Sequence, residues 1–138
     1  MKEWVIYSAL ALLVWGLWAF LPKIALSCLE PKTAFTFEVI GGALTGLLAL
    51  LIFRPELGGA EIRGIIPAIV AGMMGSLGLL CFIYAIRRGK ICIVAPLTAL
   101  YPVVSLALAM IFLKERINIV QLTGIILACV SVVLISYE

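Results

Sequence analysis

GKICIVAPLTALYPVVSLALAMIFLKERINIVQLTGIILACVSVVLIS, residues 89–136, is the stretch of sequence that decides the fold. It contains two apolar runs, residues 91–113 and 117–136, separated by the charged triplet Lys114-Glu115-Arg116. Each run is long enough to cross a hydrocarbon core of roughly 30 Å as a helix. Only helices or closed barrels satisfy their own backbone groups in lipid, and the stretch shows no alternation with period two. It therefore predicts a helical hairpin in a bilayer.

The whole chain has the composition of an integral membrane protein. Its hydrophobic fraction is 65% and its mean hydropathy is +1.29, whereas soluble domains contain about 45–50% apolar residues. The acidic and basic residues cluster between apolar runs, so the net charge of +3 suits loops and lipid headgroups and does not indicate a nucleic-acid partner. The sequence contains neither His nor Asp, which excludes a Ser-His-Asp triad and His-bearing zinc sites. We therefore expect no enzyme activity, no cofactor and no metal site.

The apolar runs and the residues between them predict five helices in one domain over residues 1–138. The predicted spans are residues 4–29, 34–53, 65–88, 91–113 and 117–136. We expect Pro22 to kink or end the first helix, Thr33 to cap the second, and Gly89 to end the third in a left-handed conformation. The longest polar connection, residues 56–64, leaves no room for a soluble domain. The predicted fold class is an all-α integral membrane protein, a bundle of five transmembrane helices.

The order of residues in the last two helices is distinctive. A Pro-Leu pair is followed by a second proline six residues on, then by an F-L-x-E turn, and then by Q-x-x-G in the next helix. These features are Ala95-Pro96-Leu97, Leu100-Tyr101-Pro102-Val103, Phe112-Leu113-Lys114-Glu115, Gln121-Leu122 and Gly124. With Trp15-Gly16 and Lys23 near the start, the order resembles one EamA-type module of the drug/metabolite transporter superfamily. The resemblance covers nearly the whole chain and implies half of a ten-helix transporter.

Glu38 is the only acidic residue inside an apolar run. Ionisable residues within membrane helices usually face a bundle interior or a water-filled cavity. Glu38 shares a helical stripe with Gly41, Gly42 and Thr45, which indicates a packed or cavity-lining face. The functional interpretation is a carboxylate that binds a proton or a cation. The alternative is a structural ion pair with Lys23.

The fourth predicted helix carries a stripe of polar and small residues. Thr98, Tyr101, Pro102 and Ser105 are spaced at i, i+3, i+4 and i+7, on one face. Prolines inside a membrane helix free carbonyl groups, which are tolerated where they line a cavity or meet another helix. This pattern is typical of a transport pathway, and a kinked packing helix is the alternative. Gln121 in the fifth helix is a candidate for a hydrogen bond across the bundle.

Small residues recur at four-residue spacing in two of the predicted helices. The second helix has Gly42 and Gly46, and the third has Ala68, Gly72 and Ser76. Such faces allow helices to approach one another closely in a membrane. We therefore expect helix packing along both faces.

Trp15 and Trp18 lie one turn apart in the first helix, and Trp15 is too deep for the interfacial aromatic belt. Packing is the favoured interpretation, and contact with a cationic or flat ligand is the alternative. The resemblance implies that this helix helps to line the central cavity. The predicted substrate pathway comprises Trp15, Trp18, Glu38, Thr45, Ser76, Thr98, Tyr101, Pro102 and Ser105. Glu38 is the candidate for proton coupling.

The basic residues are divided equally between the two sides of the predicted membrane topology, five on each. The positive-inside rule therefore gives no clear orientation, and we expect that the chain inserts both ways and forms antiparallel homodimers. The expected function is alternating-access transport, most simply export, of small metabolites or organic cations across the cell membrane. Two alternatives remain open: a non-transporting membrane subunit or scaffold, and a subunit of a lipid-linked carrier flippase.

Overall fold

The computed structural model describes residues 3–55 and 60–137, so part of the predicted connection 56–64 lies outside the described residues. Within these ranges the chain is helical and contains no strand. The helices are α1 (Glu3–Ala25), α2 (Pro31–Phe53), α3 (Ile62–Arg88), α4 (Ile91–Thr98), α5 (Tyr101–Leu108), a π-helical segment (Ala109–Leu113) and α6 (Ile119–Ser136).

The described chain has five spans that are long and apolar enough to cross a membrane. Four of them are α1, α2, α3 and α6, and the fifth comprises α4, α5 and the π-helical segment together over Ile91–Leu113. The all-α membrane class with five spanning helices, predicted from the sequence, is confirmed. The chain divides into two compact units, Met1–Arg87 with α1 to α3 and Arg88–Glu138 with α4 to α6. The single domain expected over residues 1–138 stays a prediction.

The ends of α1 and α2 differ from the predicted ones. Pro22 lies inside α1 without ending it, and α1 stops at Ala25, four residues before the predicted end, because the following residues form tighter turns. α2 begins at Pro31, with Glu30 in extended backbone conformation as its N-cap. Proline suits the first helical position, whose N–H has no intrahelical partner. Thr33 therefore lies inside the helix, and the cap predicted there was wrong.

Two non-glycine residues adopt left-handed backbone conformations at helix ends. They are Arg54 after α2, with φ 43°, and Lys114 after the π-helical segment, with φ 54°. Arg54 donates its backbone N–H to the Leu50 carbonyl at 3.1 Å. No glycine in the described ranges has a positive φ, so the left-handed cap predicted at Gly89 was wrong. The chain instead enters α4 directly through Lys90, which has extended backbone angles.

The fourth span is interrupted near its middle. α4 ends at Thr98 and α5 begins at Tyr101, with two residues of turn between them. Pro102 occupies the first turn of α5, where its missing N–H cannot donate to the Thr98 carbonyl one turn back. The hydroxyl of Thr98 bonds the carbonyls of Val94 and Ala95, both at 3.0 Å. The helix predicted over residues 91–113 is therefore two short helices and a π-helical segment.

α6 begins with a capping box. The Asn118 Oδ1 accepts the Gln121 backbone N–H at 2.8 Å, and the Gln121 Oε1 accepts the Asn118 backbone N–H at 2.8 Å. This arrangement satisfies two N–H groups that otherwise lack partners at a helix start. The Gln121 side-chain carbonyl is thus used within its own turn, and the hydrogen bond predicted from Gln121 across the bundle stays a prediction.

The buried side chains of the first unit lie at one end of its three helices. This end brings together the C-terminal ends of α1 and α3 and the N-terminal end of α2. Its buried residues are Pro22, Leu26, Ala34, Phe82, Ile83 and Ile86. The large apolar side chains along the remaining length of these helices are mostly exposed, as expected for surfaces that contact lipid or other helices in a membrane.

Two reciprocal hydrogen bonds join α1 and α3 at this packed end. The Lys23 Nζ of α1 donates to the Ile86 carbonyl oxygen of α3 at 2.6 Å. The Arg87 Nη1 of α3 donates to the carbonyl oxygen of Leu26, just after α1, at 2.8 Å. The last carbonyls of a helix lack intrahelical donors and carry partial negative charge, so a cation there is stabilising. We call this pair of bonds the α1–α3 clamp.

Candidate functional site

The three helices of the first unit form a groove next to their packed end. Its volume is about 870 Å³, within the range of small-molecule binding sites. The lining residues are Trp18, Leu21, Pro22 and Ala25 of α1, Glu38, Val39, Gly41, Gly42, Ala43 and Thr45 of α2, and Gly72, Gly75, Ser76 and Leu79 of α3. We call this cavity the three-helix groove.

Glycines widen the groove on two of its walls. A methyl group added to Gly42 or Gly72 would meet no atom of the described chain within 4 Å, and the same holds for Gly46 on α2. The close helix approach predicted at these glycines is therefore not formed within the described chain. Gly42 and Gly72 instead leave space beside α2 and α3, and this space is part of the groove.

Glu38 lies on the α2 wall, near the packed end. Both of its carboxylate oxygens are buried and have no hydrogen-bond partner among the described residues. The Trp18 side chain is close enough to interact with this carboxyl group, although the contact does not reach hydrogen-bond geometry. Lys23 donates to the Ile86 carbonyl, so the alternative of a Lys23–Glu38 structural pair is not what the structure contains. Glu38 is thus a residue of the cavity wall whose buried carboxylate oxygens lie near Trp18 and accept no hydrogen bond of good geometry from the described residues.

Trp18 forms part of the α1 wall, and its orientation is fixed by a second aromatic ring. The rings of Trp18 and Phe82 stack with centroids 5.6 Å apart and planes inclined by 21°. Phe82 is buried and does not line the groove. Phe82 therefore packs against the ring of Trp18, and Trp18 itself is part of the cavity wall.

Two hydroxyl groups line the groove and both bond their own helix. Thr45 Oγ1 donates to the Gly41 carbonyl at 3.0 Å, and Ser76 Oγ donates to the Gly72 carbonyl at 3.2 Å. Such bonds to the carbonyl one turn back leave the hydroxyl lone pairs unused. Thr45 and Ser76 can thus accept hydrogen bonds from a molecule in the groove.

The structure brings together four of the nine predicted pathway residues in this groove: Trp18, Glu38, Thr45 and Ser76. Trp15 lies outside it, with 59% of its surface exposed. The sequence reasoning missed Leu79, which carries no polar signal. Its position one turn after Ser76 on the face of α3 that includes Gly72 is the periodicity that points to it.

The second unit contains a smaller cavity of about 540 Å³ between α5 and the first half of α6. Its lining residues are Ala99, Leu100, Pro102, Val103, Leu106, Glu115, Arg116, Ile117, Gln121, Gly124, Ile125 and Ala128. Pro102 is the predicted pathway residue found there, whereas Thr98, Tyr101 and Ser105 are not among its lining residues. The Ser105 hydroxyl bonds the Pro102 carbonyl at 3.1 Å. The predicted polar stripe of the fourth span is thus not gathered in one cavity of the second unit.

The described ranges contain no set of side chains that could bind a metal ion. No group of three or more Cys or Glu side chains there could hold a metal ion. The chemical content of the three-helix groove is therefore a carboxylate, an indole, two hydroxyl groups and apolar walls.

Comparison with known proteins shows to which family this five-helix membrane protein is similar. The family model described as the EamA-like transporter family matches residues 2–137. The chain belongs to the EamA-like transporter family. The resemblance to an EamA-type module noted in the sequence is confirmed, and EamA proteins form a family of transporters.

Two relatives show how much of an EamA protein the chain represents. It is 29% identical over 134 residues to an uncharacterized protein, MJ1333.1, of Methanocaldococcus jannaschii, covering 96% of this chain and 95% of the relative. It is 26% identical over 144 residues to the uncharacterized transporter YojE of Bacillus subtilis, covering 99% of this chain and 48% of YojE. The chain therefore matches MJ1333.1 over nearly its full length and spans about half the length of YojE. No solved structure matches the chain significantly.

Proposed function

We propose that this EamA-family membrane protein is half of a small-molecule transporter and that the three-helix groove is part of its substrate pathway. The observation that carries the proposal is Glu38, an acidic residue on the wall of a groove formed by three membrane-length helices, whose carboxylate oxygens accept no hydrogen bond of good geometry from the described residues. Ionisable groups are expensive at membrane depth and mark ion and substrate pathways. The cargo we propose is a small metabolite or an organic cation, and the direction is export.

A second copy of the chain completes the transporter in this proposal. The chain corresponds to about half of YojE, so two copies supply as many membrane spans as a protein of that length. The equal division of basic residues between the two sides supports an antiparallel homodimer inserted both ways in the cell membrane. A Cys at position 137, on a background lacking the four native cysteines, should react with an impermeant thiol reagent from both sides of sealed vesicles. Reaction from one side alone would contradict antiparallel pairing.

Alternating access requires a gate at each end of the pathway. We propose that the α1–α3 clamp is the gate at the packed end of the first unit. The clamp holds the C-terminal ends of α1 and α3 together beside the groove. Each of its bonds joins a cationic side chain of one helix to a backbone carbonyl in or just after the other helix, so separation of the helices breaks both bonds at once.

Glu38 is the residue to which we assign proton coupling. This residue lies on the groove wall, and a carboxylate that loses a partner on cargo release can take a proton in exchange. Under this assignment, cargo and proton compete for one site.

Transport by purified protein in liposomes tests the proposal. With an imposed proton gradient, we expect saturable uptake of at least one compound from a panel of radiolabelled metabolites and organic cations. Glu38→Gln should reduce the uptake rate by at least about tenfold, the usual loss when a charge-assisted hydrogen bond is removed. Glu115→Gln, which removes a carboxylate outside the groove, is the matched control and should retain uptake.

Two outcomes would contradict the proposal. The first is equal uptake by wild type and Glu38→Gln, which would remove Glu38 from the pathway. The second is folded protein that moves no compound of the panel, which would favour the non-transporting subunit.

A further inference from the structure

We propose that the three-helix groove selects protonated amines attached to a flat apolar body and rejects ligands that carry a carboxylate. This inference rests on the proposed function, in which the groove is the substrate pathway. It specifies which charged and hydrogen-bonding groups the cargo carries. It follows from how the hydroxyl groups of Thr45 and Ser76 are bonded and from the charge of Glu38.

The two hydroxyl groups of the groove present acceptors only. Each hydroxyl has one hydrogen, and Thr45 and Ser76 donate theirs to the carbonyls of Gly41 and Gly72. What remains for a ligand is the oxygen lone pairs. A ligand that donates N–H or O–H groups is satisfied by these positions, whereas a carboxylate, which only accepts, finds no donor there.

Glu38 gives the groove the same polarity. Glu38 places a negative charge at the groove wall, and its buried carboxylate oxygens accept no hydrogen bond of good geometry from the described residues. None of the residues that line the groove is Lys or Arg. A cationic ligand can therefore compensate the charge of Glu38, whereas an anionic ligand would face a like charge.

Trp18 adds a preference for shape. The indole of Trp18 stacks on Phe82, and Trp18 lines the groove. An aromatic face held in place binds flat rings by stacking and cations by electrostatic attraction. Trp18 and Glu38 interact with each other, so a flat body on the indole places its ammonium group near the carboxylate.

Four indole compounds that differ only in their charged group test this inference. They are tryptamine, its N,N,N-trimethyl derivative, tryptophan and indole-3-acetate, with binding measured by calorimetry on the protein in nanodiscs. Tryptamine should bind at least about tenfold more tightly than tryptophan and indole-3-acetate, because only tryptamine is cationic without a carboxylate and donates N–H groups. The trimethyl derivative should bind more weakly than tryptamine, because it keeps the charge and has no N–H on the ammonium.

Variants separate the groove from the rest of the chain. Glu38→Gln should weaken tryptamine binding by at least about tenfold and leave indole-3-acetate unchanged. Thr45→Val should weaken tryptamine binding by about two- to tenfold through loss of one acceptor. Thr36→Val is the matched control, because Thr36 makes the same type of hydroxyl bond on α2, to the Lys32 carbonyl at 3.0 Å, outside the groove. It should leave binding unchanged.

Indole-3-acetate binding as tightly as tryptamine would overturn the inference, and so would failure of all four compounds to bind. Liposome transport of tryptamine distinguishes the inference from the proposed function. Tight binding of tryptamine without transport would contradict the transporter and leave the ligand preference intact. Transport of indole-3-acetate without binding of tryptamine would contradict the preference and leave the transporter intact.

Discussion

Glu38 lies on the groove wall, and burial of its carboxylate lowers the stability of the folded protein. A buried polar group without a partner costs about 1–3 kcal/mol, and a charged group costs more. Both oxygens of Glu38 are in this situation among the described residues. Groups that lower the stability of a fold are typical of functional sites.

The first prediction follows from that cost. Glu38→Gln should raise the thermal unfolding midpoint of the purified protein by about 2–5 °C, because a neutral amide replaces a buried carboxylate that has no partner. The measurement is thermal unfolding in detergent at pH 7. Glu115→Gln provides the control, since Glu115 is exposed, and it should change the midpoint little. A lower midpoint for Glu38→Gln would show that the carboxylate is stabilised by a partner in the membrane.

Asn118 gives a second prediction for a single residue. Its side chain caps α6 through the bond from the Gln121 backbone N–H, so Asn118→Ala should destabilise the protein by about 0.5–2 kcal/mol. Asn118→Ser keeps an acceptor at the same position and should restore most of the stability. Denaturant unfolding of the three proteins provides the measurement. Equal loss in the Ala and Ser variants would mean that the cap contributes nothing.

At the scale of helices, the length of the apolar runs predicts the spans, but single residues at the ends decide where they stop. The five spans follow from runs of about twenty apolar residues. The start of α2 depends on Pro31 occupying the first helical position, and its end on Arg54 adopting a left-handed conformation. Arg54 carries no sequence signal for that conformation, because glycine and asparagine are the usual residues there.

The prolines likewise show where a helix lacks a backbone hydrogen bond, but they do not show where a helix is interrupted. Pro22, Pro67 and Pro96 all lie inside helices that continue past them. Unlike these three prolines, Pro102 has an interruption just before it, and it lies in the first turn of α5. A membrane helix can absorb one missing hydrogen bond when neighbouring groups compensate for it. The sequence therefore indicated a freed carbonyl in the fourth span and could not indicate that this one would divide the helix.

The α1–α3 clamp gives the prediction that belongs to this scale. Replacing Lys23 by Met and Arg87 by Gln removes both donors, so the packed end should open more often. Ala34, which is 2% exposed at this end, reports the opening when it is replaced by Cys on a background without native cysteines. The thiol should react several-fold faster with a water-soluble maleimide in the double variant, because the site becomes solvated more often.

Lys32→Met is the control for this experiment, because Lys32 is exposed on the first turn of α2 and makes neither clamp bond. It should leave the labelling rate unchanged. An unchanged rate in the clamp variant would contradict the assignment of the clamp as a gate.

At the scale of the whole molecule, a candidate site is assembled from helices that are distant in sequence. Polarity within apolar helices was enough to select Glu38, Thr45 and Ser76 one at a time, because each departs from its surroundings. That the three share one groove depends on how α2 and α3 pack near the end of α1. Hydrophobic periodicity shows which face of a helix is polar, but it does not show which faces of different helices meet. Trp15 was therefore predicted together with Trp18, although of the two only Trp18 lines the groove.

The central claim is that the three-helix groove is a water-accessible pathway within the membrane, and labelling on α2 tests it most directly without knowledge of the substrate. Thr45 lines the groove, whereas Leu47, at nearly the same depth, does not. Each is replaced by Cys on a background lacking Cys28, Cys81, Cys92 and Cys129, and membranes are treated with a hydrophilic thiol reagent. Our account predicts rapid labelling of Thr45→Cys and little labelling of Leu47→Cys, because only thiols in contact with water form the reactive thiolate. Equal labelling of the two positions, or no labelling of Thr45→Cys, would contradict it.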